Sequence, residues 1–241
     1  MLRGDYLERD VVFFDLDGTL LPIDIDDFLK KYFKALTREF SDTFDPDYFI
    51  KSLLKATNAM IENNGERLNI DVFIDSFLNL MGVDNQSDMM KRFDKFYQEK
   101  FPHLGADIKA SKVPANLIKH LKESGYQLVL ATNPVFPLQA IKERMNWANV
   151  DPGDFVYISC YENMHYCKPN PGFYQEILQK IDVEPERAMM IGNDVQEDMI
   201  AATLGMETYL LTDFLIDRKT DSSRIDWKGT MEELFSYLTN K

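Results

Sequence analysis

Cysteine is nearly missing from this chain, with only Cys160 and Cys167 in 241 residues. That is too few for a disulfide framework or a cysteine zinc site, so reduced thiols in structural positions are expected. Histidine is scarce as well, and of the three, His103 and His120 have no acidic or cysteine partner at metal-site spacing. Positive charge is also short: 27 Lys and Arg against 40 Asp and Glu leave a formal net charge of −13. This argues against a surface for nucleic acid or anionic membrane, and it means that an anionic small substrate needs a local positive site. No apolar run approaches the ~20 residues of a membrane span, and the N-terminal segment through Asp10 is too charged for a signal peptide, so a cytoplasmic protein is expected. Internal repeats and low-complexity segments are absent, and oligomeric state is not legible.

What is present is apolar substance, 45% of residues with 12% aromatic, enough for a sizeable core in one large domain or a domain with a smaller insert. The chain is organised around Val11-Val12-Phe13-Phe14-Asp15-Leu16-Asp17-Gly18-Thr19-Leu20. Four consecutive β-branched or aromatic residues fit a strand buried on both faces of a parallel sheet, and the acids and glycine mark its carboxyl end. In open α/β sheets ligands bind at that edge. Two carboxylates this close repel unless a cation lies between them or one holds a proton, which suggests a divalent metal, an acid/base couple, or both. Oxygen-only ligation favours magnesium over zinc.

Beyond Pro22 the pattern turns helical and stays so to about Phe101. Phe28, Leu29, Tyr32, Phe33, Leu36 and Phe40 form one stripe. Asp45-Pro46 opens a second helix, ended by Asn63-Asn64-Gly65. Val72, Phe73, Phe77, Leu80 and Met81 form a third stripe closed by Gly82, and Ser87 is the expected cap of a fourth. These stripes predict a small helical bundle whose apolar faces pack together. From Pro114 a wound α/β pattern begins, with strands at 127–131, 155–159, 188–191 and 207–211, and helices from Pro114, Pro137, Pro171 and just after Asp194. Residues 213–229 read as loop before a closing helix at 231–238. The chain thus parses as a parallel-sheet core, residues 1–21 and 109–241, interrupted by a helical insert at 22–108 that would hang over the acidic edge.

Asp15-Leu16-Asp17-Gly18-Thr19-Leu20 resembles the first motif of the haloacid dehalogenase (HAD) superfamily, and the resemblance extends over nearly the whole chain. It implies a Rossmann-like α/β core with a helical cap inserted between the first and second motifs, and a magnesium-dependent phosphohydrolase acting on a small phosphorylated substrate. Asp15 would be the nucleophile that forms an aspartyl-phosphate, and Asp17 the acid and base, a residue that the family's dehalogenases lack. Thr132-Asn133 resembles the second motif, which holds the phosphoryl oxygens, and Lys168-Pro169 the third, whose lysine offsets the charge on nucleophile and phosphate. Ile191-Gly192-Asn193-Asp194 through Asp198 resembles the fourth. The Mg²⁺ site implied by the resemblance draws on Asp15, Asp17, Asp194 and Asp198, with Asp198 ordering a metal-bound water or bracing the lysine. Asp24, Asp26, Asp27 and Glu162 read as capping acids for the first insert helix, His165 as solvent-facing or a substrate contact, and Asn193 has no assigned role. A phosphomutase using the same residues, a signalling phosphoacceptor and a binding protein without turnover are the alternatives.

Overall fold

Val11-Val12-Phe13-Phe14 form β1 (Val11–Phe14), fully buried because the strand has a neighbour on each edge and packed side chains on each face. The structure, a computed structural model, describes residues 10–219 and 224–240. β1 pairs in parallel with β2 (Gln127–Leu130) on one side and β4 (Ala188–Gly192) on the other, Val11 lying opposite both Gln127 and Ala188. With β3 (Tyr157–Ile158), β5 (Glu207–Leu211) and β6 (Trp227–Gly229), the described residues form a six-stranded, wholly parallel sheet in the order β3-β2-β1-β4-β5-β6. This is the Rossmann-like α/β architecture expected from the apolar strands and the helices between them.

Alternation along the strands sends Val12, Phe14, Leu128, Leu130, Met189 and Ile191 to one face, and Val11, Phe13, Val129, Ala188 and Met190 to the other. The second face packs on Phe173, Tyr174 and Ile177 of α7 (Gly172–Ile181). Both faces being covered explains why these strands read as continuous apolar runs.

Between β1 and β2 come α1 (Ile25–Phe40), α2 (Pro46–Ile61), α3 (Asn69–Met81), α4 (Gln86–Glu99) and α5 (Lys112–Glu123). Asp24 caps α1 by accepting the Asp27 N–H at 3.0 Å, with Asp26 and Asp27 in the first turn. Asp45 caps α2, and Gly82 closes α3 in the left-handed conformation, as expected. The stripes meet as rings: Phe40 on Phe49 at 4.8 Å, Phe49 on Phe77 at 5.7 Å and Phe77 on Phe93 at 5.5 Å. Truncating one such ring to alanine typically costs about 3–5 kcal/mol. The helices that follow β1 are tied to the segment after β3 at α3, where the Asn69 N–H donates to the Met164 carbonyl and the Ile70 N–H to that of Tyr161, both at 2.9 Å.

Four local expectations are corrected. α4 is capped by Asn85, not Ser87, which lies inside the first turn. The strand expected at 155–159 shrinks to Tyr157–Ile158, an edge strand with Val156 exposed. The helix expected after Asp194 makes one α-type turn, from the Asp198 N–H to the Asp194 carbonyl, and continues as a 3-10 helix, Met199–Leu204. There the Asp194 carboxylate binds the N–H groups of Gln196 and Glu197 and competes with regular winding. The stretch 213–229 is not all loop: β6 pairs with β5 there, and Trp227 packs on Tyr209 and on Tyr237 of α8 (Met231–Thr239). Among the described residues no helix is long and apolar enough to cross a membrane.

Candidate active site

β1, β2 and β4 end side by side, and the chain leaving their carboxyl ends carries Asp15, Thr132 and Asp194. These three, with Asp17, Asn133 and Asp198, line one cavity of about 280 Å³. After β1 the chain must turn at once, and Gly18 provides a left-handed residue with φ +79°. A Cβ on Gly18 would lie 2.4 Å from Asn193 Nδ2, so the turn and the β4 loop touch without room for a side chain. Asn193, unassigned from sequence, is the staple between them. Its Oδ1 accepts the Thr19 hydroxyl at 3.1 Å and its Nδ2 donates to the Phe214 carbonyl at 2.6 Å.

Lys168, in the loop between β3 and α7, reaches back across the sheet edge. Its Nζ donates to Asp15 Oδ1 at 2.9 Å and to Asp198 Oδ1 at 2.6 Å, and the residue is only 1% exposed. Burial alone would lower the lysine's pKa, but the charges of Asp15 and Asp198 outweigh it and hold the ammonium well above its ordinary value. Burial pushes the Asp198 carboxyl up, while Lys168 favours its charged form. Both Asp198 oxygens are engaged, Oδ2 by the Asp194 N–H at 2.9 Å. That carboxylate packs so tightly on β4 that a Cβ on Gly192 would lie 2.1 Å from Oδ2. Asp198 thus hydrogen-bonds Lys168, the contact that a bracing role would need. Asn133 holds the same loop, its Oδ1 accepting the Lys168 N–H at 3.3 Å and its Nδ2 donating to Glu197 Oε2 at 3.1 Å. Burial pushes Glu197 up to about 7, and the neighbouring Asp194 and Asp15 add to the rise.

Asp17 is met by a residue that the sequence did not flag. Arg144 of α6 (Leu138–Trp147) is 1% exposed, donates from Nη1 to Asp17 Oδ2, and stacks over the Phe136 ring at 4.5 Å. Asp17 Oδ1 and Arg144 Nη2 are buried without a hydrogen-bond partner. Burial raises the Asp17 pKa and the charge on Asp15 raises it further, against the pull of Arg144. A carboxyl whose pKa is raised beside another carboxylate is suited to give a proton to a leaving group. The second unflagged cation, Arg218, binds both Asp194 oxygens at 2.8 and 2.7 Å. It arrives because the segment after β5 is hydrogen-bonded to the β4 loop, Val195 N–H to the Ile216 carbonyl and Ile216 N–H to that of Asn193. An arginine amid polar loop residues carries no sequence signal by itself. The position of its segment just beyond a parallel strand that ends at the same edge does. Arg144 gave one weak signal, a charge on the inward stripe of its helix.

Two other residues lie away from this edge. Glu162 caps α6, not α1, both its oxygens accepting the Leu138 N–H at 3.0 and 3.1 Å. His165 pairs through Nδ1 with Glu176 at 2.7 Å and does not line the cavity.

The donor set suits a hard divalent cation in charge and chemistry. Five carboxyl groups, those of Asp15, Asp17, Asp194, Glu197 and Asp198, face three cations, Lys168, Arg144 and Arg218, at this edge, and their oxygens are hard donors. Among the described residues no three of the acids, histidines or cysteines converge in ligand geometry, because Asp17, Asp194 and Asp198 each turn toward a basic side chain.

A family model for haloacid dehalogenase-like hydrolases matches residues 9–204. Pyrophosphatase PpaX of Bacillus anthracis is 21% identical over 230 residues, covering 89% of this chain and 95% of that one. Among solved structures, a predicted phosphoglycolate phosphatase from Haemophilus somnus 129pt superposes with a TM-score of 0.59 at 16% identity, covering 97% of this chain and 99% of its own. The HAD-hydrolase YfnB from Bacillus subtilis, bound to magnesium, gives 0.59 at 18% identity, covering 96% and 99%. With its motif-bearing strand ends gathered at one edge of this sheet, the chain belongs to the haloacid dehalogenase-like hydrolases.

Proposed function

We propose that this hydrolase is a magnesium-dependent phosphatase that releases phosphate from a small phosphorylated metabolite through an aspartyl-phosphate on Asp15. The observation that carries the reading is the buried Lys168 ammonium shared by Asp15 and Asp198, with Asp17 in the same cavity. Lys168 orients Asp15 and offsets the charge that gathers when a carboxylate approaches a phosphate. An Asp15 oxygen attacks phosphorus as the bond to the ester oxygen breaks, and Asp17 gives its proton to that oxygen. Asp17, now a base, takes a proton from the water that attacks phosphorus. Phosphate departs, and Asp15 and Asp17 return to their starting states. Thr132, buried at the end of β2, and the chain at Asn133 would hold the phosphoryl oxygens.

Asp15 and Asp194 would hold Mg²⁺, which when bound supplies a positive charge for the phosphate oxygens. Residues 22–108 would serve as a cap that excludes water from the first transfer. A cytoplasmic setting fits the two unpaired, buried cysteines. Chelation of divalent metal should abolish phosphate release from a simple monoester, and added magnesium should restore it. Hydrolysis unchanged by chelation would remove the metal from the account.

A further inference from the structure

We infer that the substrate's leaving group is an apolar alcohol, from the lining of the cavity that runs from the sheet edge beneath the insert helices. This rests on the phosphatase reading above and deepens it. The cavity that begins at Asp15 and Asp17 runs out beneath the insert, where α1, α2 and α4 turn Leu29, Phe33, Leu54, Ile61 and Met90 toward it. Leu54 and Ile61 are 47% and 39% exposed, although they lie seven residues apart on one face of α2. Large apolar side chains left unpacked on a concave wall beside reactive groups mark a ligand surface more than an unfinished core.

The polar groups of this wall are few, and each already makes one hydrogen bond. Tyr32 and Tyr97 bond each other through their hydroxyls at 2.8 Å, and the Thr57 hydroxyl bonds the Leu53 carbonyl at 3.0 Å. Among the described residues the insert contributes no charged side chain to the cavity. The two arginines that line it, Arg144 and Arg218, are paired with Asp17 and Asp194. Arg144 Nη2 keeps a free donor at the sheet edge, but a second carboxylate or phosphate reaching beneath the insert would meet a wall without a charged side chain, which costs binding, whereas methylene groups would gain it. At about 280 Å³ the cavity takes a short alkyl or single-ring group.

The test is a series of straight-chain alkyl phosphates from methyl to heptyl, with phosphoglycolate and inorganic pyrophosphate alongside, assayed with magnesium for kcat/KM. The ratio should climb about fourfold per methylene until the cavity is filled, and the two compounds that carry a second anionic group should fall below propyl phosphate. Leu54→Asp, at an exposed position, should flatten the climb, lowering heptyl phosphate at least about tenfold more than methyl phosphate. Heptylphosphonate, which cannot be hydrolysed, should bind more tightly than methylphosphonate and with a more negative heat-capacity change, as burial of apolar surface requires. A flat or falling series, or a preference for phosphoglycolate or pyrophosphate, overturns the inference and leaves the phosphatase reading standing. Absence of Asp15-dependent release from every compound overturns both.

Discussion

Asp17 stands between opposing electrostatic forces. Burial and the adjacent Asp15 charge favour its protonated form, and Arg144, itself buried between aromatic rings, favours the carboxylate. In the proposed cycle the residue is an acid in one step and a base in the next, and a carboxyl biased wholly to one form would serve only half of that cycle. In Arg144→Met the lowering influence is gone, so Asp17 should hold its proton to higher pH. The acid form is lost as pH rises through that pKa, so the alkaline limb of the kcat/KM profile should move upward relative to the native enzyme. A limb that stays in place or moves down would mean that Arg144 does not tune Asp17. Asp15 and Asp17 could be singled out from sequence because two acids directly after four apolar residues violate strand chemistry. Arg144 could not, because its partner lies 127 positions away and only the fold brings them together.

At the scale of elements, the loops that leave the sheet edge are linked to one another and to the helices between β1 and β2 by side-chain hydrogen bonds. Asn69, fully buried at the start of α3, shows this on the insert side. Its Oδ1 accepts from Asn63 Nδ2 at 2.9 Å, and its Nδ2 approaches Cys167 Sγ at 3.3 Å and the Pro134 carbonyl at 3.5 Å. It therefore touches the loops that follow both Thr132-Asn133 and the residue before Lys168. Asn69→Ala should lower stability by about 1–3 kcal/mol, since buried partners are left unsatisfied, read as a lower denaturant midpoint. An unchanged midpoint would show that these contacts do not hold the insert to the core. Helices with strong apolar stripes and capping residues were legible almost to the residue, as with Asp45-Pro46 and Gly82. The three-residue β6 was not, because so short a strand shows no alternation and its pairing partner, β5, supplies the reason it forms. The 3-10 winding after Asp194 was hidden for a related reason: the side chain that disturbs the helix is the one that also looks like its cap.

Across the whole molecule, a chain with a formal net charge of −13 gathers a small set of cations at one sheet edge. The parallel sheet was readable because buried strands and covering helices alternate in sequence as they do in space. What the cavity takes was not readable, since Leu54 and Ile61 look like ordinary members of an apolar stripe until the fold leaves them unpacked. The account as a whole depends on phosphorus being carried on Asp15. Rapid acid quench during turnover of an alkyl phosphate, followed by mass spectrometry of the peptide that contains residues 11–20, measures this directly. The account predicts a phosphoryl group on Asp15 that appears before free phosphate accumulates and is absent in Asp15→Asn. Phosphate release at the native rate by Asp15→Asn, or a phosphoryl group trapped on a different residue, would contradict it.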